Sequence, residues 1–150
     1  MVDYIFGMEG ISYFKNPTLS STAQGYITAQ GRTAANSPGA YVFDNANLTL
    51  AGTAKANSMF LGRPWRSYST VVFKNSDFGN AVDLRGWSNW QESDPRTDNV
   101  YYAEYNNRGA SAWNNQRADF SRQIGKDEAG VRWSVKGTLG SDDWIDRRFL

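Results

Sequence analysis

The 150-residue chain contains neither cysteine nor histidine. These two absences remove disulfide frameworks, thiol nucleophiles, Cys/His zinc sites and any Ser-His-Asp relay drawn from the chain's own residues. Chemistry done here must rest on carboxylates, arginines, amides or hydroxyls. The lack of cysteine does not assign a compartment, because an exported protein with a large enough core manages without bridges. An excess of charge of either sign is also lacking. Sixteen Lys and Arg against fifteen Asp and Glu leave a net charge of +1, which gives no long-range attraction to nucleic acid or an anionic membrane, so neither is expected as a partner. No run approaches the ~18 apolar residues of a membrane span. The N-terminal Met-Val-Asp-Tyr-Ile-Phe-Gly also lacks the basic-then-apolar layout of a signal peptide. Glycine-rich phosphate loops and nucleic-acid motifs are missing too.

What the chain does have is aromatic residues, with six Trp, eight Tyr and eight Phe. They are too many for core filling alone at such a low overall hydropathy, so some are expected to face a ligand. Over the first hundred residues, short β-branched and aromatic runs alternate with Gly, Asn, Ser and Pro clusters, which is the pattern of many short strands. The expected strands are 3–6, 12–14, 25–29, 40–43, 48–50, 70–73 and 100–105. A repeat underlies them. Tyr13-Phe14-Lys15-Asn16, Val42-Phe43-Asp44-Asn45 and Val72-Phe73-Lys74-Asn75 each carry an apolar-aromatic pair, any residue and Asn, with a large apolar residue three positions further on. The asparagines are 29 and 30 positions apart, and Asn106 follows after 31 more in a weaker copy. A period near thirty made of strands points to a solenoid whose corner asparagines stack coil on coil, and a parallel β-helix is the economical form. The alternative is three similar strand-turn units of a β-sandwich. The last forty residues differ and are read as a segment packing on the solenoid. Within it a strand is expected at 131–135, and a helix starting near Leu139 with Ser141 or Asp142 as N-cap.

Asp3 stands out as a carboxylate between apolar residues in a strand-like run. It is either a hydrogen-bonding partner of a neighbouring coil or an exposed end residue, or else a nucleophile held ionised by a nearby cation. The candidate cation is Arg63 in Leu61-Gly62-Arg63-Pro64-Trp65, where Gly permits close backbone approach and Arg can grip a carboxylate with two parallel hydrogen bonds. Trp65 offers a flat face to a sugar ring, although a surface Arg stacked on Trp in a structural turn explains the same residues. Of Trp87 and Trp90, one can extend that platform, with core packing as the alternative for each. Gln30-Gly31-Arg32 reads as a structural corner in preference to an amide donor. Asp127-Glu128 and Asp142-Asp143 lack companion ligands, so no metal site is expected.

Val2-Asp3-Tyr4-Ile5-Phe6-Gly7, Ile27-Thr28-Ala29-Gln30-Gly31-Arg32, Leu61-Gly62-Arg63-Pro64-Trp65, Gly86-Trp87 and Tyr102-Ala103-Glu104-Tyr105 together resemble the pectinesterases (pectin methylesterases) in order and spacing. The resemblance covers roughly residues 2–117, and 139–149 is similar to the tail of the family's fungal branch. It implies an all-β, right-handed parallel β-helix that hydrolyses the methyl esters of galacturonate units in pectin, releasing methanol. It also implies Asp3 as nucleophile, Arg63 as its partner, Trp65, Trp87 and Phe6 as substrate-binding residues, and no metal or organic cofactor. The expected partner is pectin, the expected state a monomer, and the expected location extracellular because the substrate lies there.

The match has one departure. Where the family has a small residue before Val-Asp, this chain has Met1, and nothing matches the family's acid/base aspartate or oxyanion glutamine, which lie upstream of the nucleophile. The chain is therefore expected to be the C-terminal part of a longer enzyme, incomplete on its N-terminal side and nearly inactive alone. A non-catalytic polysaccharide-binding solenoid is the alternative. A β-helix lyase or hydrolase fits less well, since no calcium-binding carboxylate cluster or basic catalytic residue is visible.

Overall fold

The computed structural model describes residues 2–150, so Met1 lies outside it. The chain winds through strands β1 (Val2–Gly7), β2 (Ile11–Lys15), β3 (Thr18–Ser21), β4 (Gly25–Gln30), β5 (Ala40–Asp44), β6 (Asn47–Leu50), β7 (Met59–Pro64), β8 (Thr70–Lys74), β9 (Tyr101–Tyr105) and β10 (Ser121–Gln123). Two short helices follow, α1 (Lys126–Gly130) and α2 (Val135–Leu139). Every strand pair is parallel, and three sheets result, ordered β1-β4-β7, β2-β5-β8-β9-β10 and β3-β6. The first two turns of chain contribute one strand to each sheet in rotation, and later turns keep adding strands to the second sheet, so the fold is a parallel β-helix. In the third coil the third sheet shrinks to single bridges at Asp77, which pairs with Asn47 on one side and Arg108 on the other.

The repeat maps onto this geometry position by position. Asn16, Asn45, Asn75 and Asn106 all turn the corner after the second sheet with φ of 55°, 56°, 54° and 50°. Asn is among the few side-chain-bearing residues that adopt this left-handed conformation readily. Their amides link the coils. Asn45 Nδ2 donates to Asn16 Oδ1 at 2.9 Å and Asn106 Nδ2 to Asn75 Oδ1 at 3.0 Å, while Asn75 Nδ2 reaches Asp44 Oδ1 at 2.8 Å. Two residues before the corner asparagines, Phe14, Phe43 and Phe73 stack face to face with centroids 4.6 and 4.3 Å apart. That column is the spine of the core, together with Ile27, Leu61, Phe78, Trp87 and Tyr102.

The alternate residues of the second sheet point outward, and the C-terminal segment covers them. Val42, Val72 and Ala103 form a second cluster under Trp133. Lys74 Nζ donates to the Ala129 carbonyl at 3.2 Å, and Trp133 Nε1 to the Tyr101 hydroxyl at 3.2 Å. Two expectations for this segment fail. Residues 131–135 form no strand, because no neighbouring strand is there to pair with. Trp133 anchors the stretch while Val131 is left 73% exposed, and Ser134 caps α2 by accepting from Gly137 N. No helix starts near Leu139 either. Gly140, at φ 81°, ends α2, and Asp146 instead caps a single 3-10 turn at Arg147–Phe149.

Candidate active site

The first sheet brings the predicted residues together. Asp3 on β1 is in register with Tyr26 on β4 and Phe60 on β7, and Phe6 is in register with Ala29 and Arg63. Arg63 therefore lies two strands away and three residues along, a diagonal that an extended arginine side chain can span. Its Nε donates to Asp3 Oδ1 and its Nη2 to Asp3 Oδ2, both at 2.9 Å, the parallel fork that guanidinium and carboxylate geometries share. The pair is sheltered but reachable, with 18% of the Arg63 and 21% of the Asp3 side chain exposed. The hydrogen bonds to Asp3 push the guanidinium above its ordinary range, so it is cationic at any working pH. Among the described residues each carboxylate oxygen accepts one hydrogen bond, which leaves it a lone pair.

The arginine is itself held by aromatic faces. Its guanidinium carbon sits over the Tyr26 ring at 4.2 Å and over the Trp90 ring at 4.3 Å. Trp90 meets Trp65 edge to face at 4.8 Å, and Trp65 meets Phe6 in the same manner at 5.4 Å. Phe6 is 57% exposed, and Trp65 and Trp90 are partly so. A row of aromatic rings thus runs beside the carboxylate, the kind of surface on which sugar rings stack. Arg96 closes it from behind: it donates to the Trp65 carbonyl, is held by Asp94 Oδ2 at 2.7 Å, and lies 5.1 Å over Trp90.

Trp87 does not belong to this row. It is 1% exposed, stacks on Tyr102 at 4.2 Å and donates from Nε1 to Glu104 Oε1 at 3.1 Å. Its backbone bridges to Gly62, which turns the indole inward, and Trp90 three residues on takes the surface position. A Cβ on Gly62 would collide with Thr28 Oγ1 and meet the Trp87 ring at 3.3 Å, so the glycine is what lets these coils close. Gln30 proves to be a structural corner. Fully buried, it accepts from Arg32 N and Thr70 N and donates to the Met8 carbonyl. Glu104 is likewise committed, gripped at 2.9 and 3.1 Å by Arg117, a partner thirteen residues away that no local motif reveals.

Fold and site together define a parallel β-helix with a carboxylate-arginine pair set among aromatic rings on one sheet. The family model described as Pectinesterase matches residues 1–142. A pectinesterase of Aspergillus niger is 31% identical over 99% of this chain and 45% of its own length. Pectinesterase A of Emericella nidulans is 33% identical over 97% and 42%. Among solved structures, the Aspergillus niger pectin methylesterase with an N-acetylglucosamine stub superposes with a TM-score of 0.82 at 32% identity, covering 97% of this chain and 46% of that one. The carrot pectin methylesterase gives 0.85 at 26%, covering 96% and 48%. A pectin methylesterase in complex with a hexasaccharide gives 0.69 at 25%, covering 95% and 48%. The chain belongs to the pectinesterase family. It spans a little under half the length of these relatives.

Proposed function

We propose that this chain carries the nucleophile, its arginine and part of the substrate groove of an esterase that removes methyl groups from galacturonate units of pectin. The observation that carries the proposal is the forked Asp3–Arg63 pair beside the exposed Phe6–Trp65–Trp90 row. A free lone pair of Asp3 attacks the ester carbonyl carbon, and the bond to the methoxy oxygen breaks. Methanol leaves after taking a proton, and an anhydride joins Asp3 to the sugar acid. Water then opens the anhydride, restoring the Asp3 carboxylate and releasing galacturonate; of the two protons set free, one replaces the proton that methanol took and one is released. Arg63 fixes the carboxylate plane with two parallel hydrogen bonds, while the aromatic row orients the sugar. The solved family member with a bound hexasaccharide supports a groove that takes several sugar units. Because pectin lies outside cells, the working protein is exported.

The reaction also needs a proton donor for methanol and donors for the developing oxyanion, worth on the order of 100-fold or more and 100- to 1000-fold respectively. Among the described residues, Arg63 makes both hydrogen bonds that the Asp3 carboxylate accepts. The 150-residue chain is therefore expected to turn over slowly. Proton release from highly methylated pectin at constant pH, compared for the chain and Asp3→Asn at equal concentration, tests the assignment. Slow release that disappears in the variant is expected. Equal release from both, or pectin binding with no release from either, overturns it, the second result in favour of a binding module.

A further inference from the structure

The chain contains a single Asn-X-Ser/Thr triplet without proline at X, Asn47-Leu48-Thr49. The one similar triplet, Asn16-Pro17-Thr18, is blocked by its proline. We propose that Asn47 is an N-glycosylation site of this protein. The proposal rests on the export inferred above and on where the solenoid puts these three residues.

Asn47 opens β6, where side chains alternate between the interior and the outer surface. Leu48 points inward and is 4% exposed, so Asn47 and Thr49, on either side of it, share the outer face. Asn47 is exposed and Thr49 partly so. The corner asparagines differ sharply. Asn45, Asn75 and Asn106 each donate their amide to the preceding coil, whereas among the described residues Asn47 engages only through its backbone. Its N–H donates to the Pro17 carbonyl at 2.8 Å, and among the described residues its side-chain amide has no hydrogen-bond partner. The ladder neighbours of Asn47 are the exposed Thr18 and the partly exposed Asp77, a polar row with no bulky apolar group. Among the described residues none bonds the Asn47 amide, and the side chain is exposed. The sheet formed by β3 and β6 carries none of Asp3, Phe6, Arg63 or Trp65, so a glycan there leaves the aromatic row on the first sheet uncovered.

The step itself is a glycosyl transfer from a lipid diphosphate-linked oligosaccharide. Asn47 Nδ2 forms a bond to the anomeric carbon, the bond from that carbon to the diphosphate oxygen breaks, the lipid diphosphate leaves with the electron pair, and the amide gives up one proton. The Aspergillus niger relative, solved with an N-acetylglucosamine stub, shows that a family member receives such glycans.

The test is expression of the full chain behind a cleavable export leader in a yeast, reading the intact mass of leader-cleaved chain from cells and medium together. Such chain has entered the secretory lumen whether or not it is later released or stably folded, so the reading does not depend on native export or on esterase activity. An oligosaccharide mass that peptide-N-glycosidase removes is expected on most of the chain. It should vanish in Asn47→Gln and Thr49→Ala and return in Thr49→Ser. Leader-cleaved chain of unmodified mass, or a sugar increment that survives Asn47→Gln, overturns the proposal.

Discussion

Arg63 satisfies three demands at once: two parallel bonds to Asp3, a ring beneath and a second ring from Trp90. A lysine keeps the charge but cannot make the fork or lie flat on the rings. Arg63→Lys is therefore expected to leave the protein folded yet lower esterase turnover at least ~10-fold, because the carboxylate loses its fixed plane. Trp90→Ala removes cation-π contacts to Arg63 and Arg96 and an edge-to-face pair with Trp65, worth together about 1.5–3.5 kcal/mol when partly buried. Denaturant unfolding should show that loss, with Trp90→Phe recovering most of it. An unfolding midpoint unmoved by Trp90→Ala would mean that Trp90 does not brace the arginine. That Trp90 and not Trp87 faces the groove was not legible beforehand. The two tryptophans are three residues apart in an irregular stretch with no strand alternation to tell inside from outside. Only the bridge of Trp87 to Gly62 decides it.

At the scale of the coil, the corner asparagines do two separable jobs. Asn45 adopts φ 56° and also links Asn16 by its amide. Asn45→Ala should cost both the left-handed strain, about 1 kcal/mol, and the hydrogen bond, about another 1 kcal/mol. Asn45→Gly should cost the second alone, and chemical denaturation of the two variants separates them. Equal losses would show that conformation at the corner is not what selects Asn. This ladder was readable in the sequence because the thirty-residue period repeats both the Asn and the Phe two positions before it. Strand β7 was not, since Gly62 and Pro64 carry the signals of a turn. Here the glycine answers the close approach of Thr28, and the proline falls on the last strand residue. The C-terminal segment departs from its sequence pattern for a related reason. The run around Trp133 has the composition of a strand, but a strand needs a paired edge, and this run anchors by one indole instead.

Over the whole molecule, four tyrosines tie stability to pH. Burial raises the hydroxyls of Tyr13, Tyr41, Tyr101 and Tyr102 above their ordinary value of 10.0, with hydrogen bonds from Tyr13 to Asp44 and from Tyr101 to Glu128 adding to it. The folded chain thus holds these protons more tightly than the unfolded chain. Their contribution is complete below about pH 10 and is lost as the pH climbs from there toward the folded values, by up to ~1.4 kcal/mol per unit per tyrosine. Thermal melts should therefore fall steeply above pH 10, and Tyr102→Phe should blunt the fall; a midpoint flat to pH 11.5 would contradict this. The central claim is that Asp3, held by Arg63, is an ester nucleophile. An aryl ester of galacturonic acid tests it most directly, because its leaving group departs without a proton donor and so isolates the attack proposed for Asp3. Release of the phenol by the folded chain, lost in an equally folded Asp3→Asn variant, is the expected result. Equal release by the two proteins would contradict it.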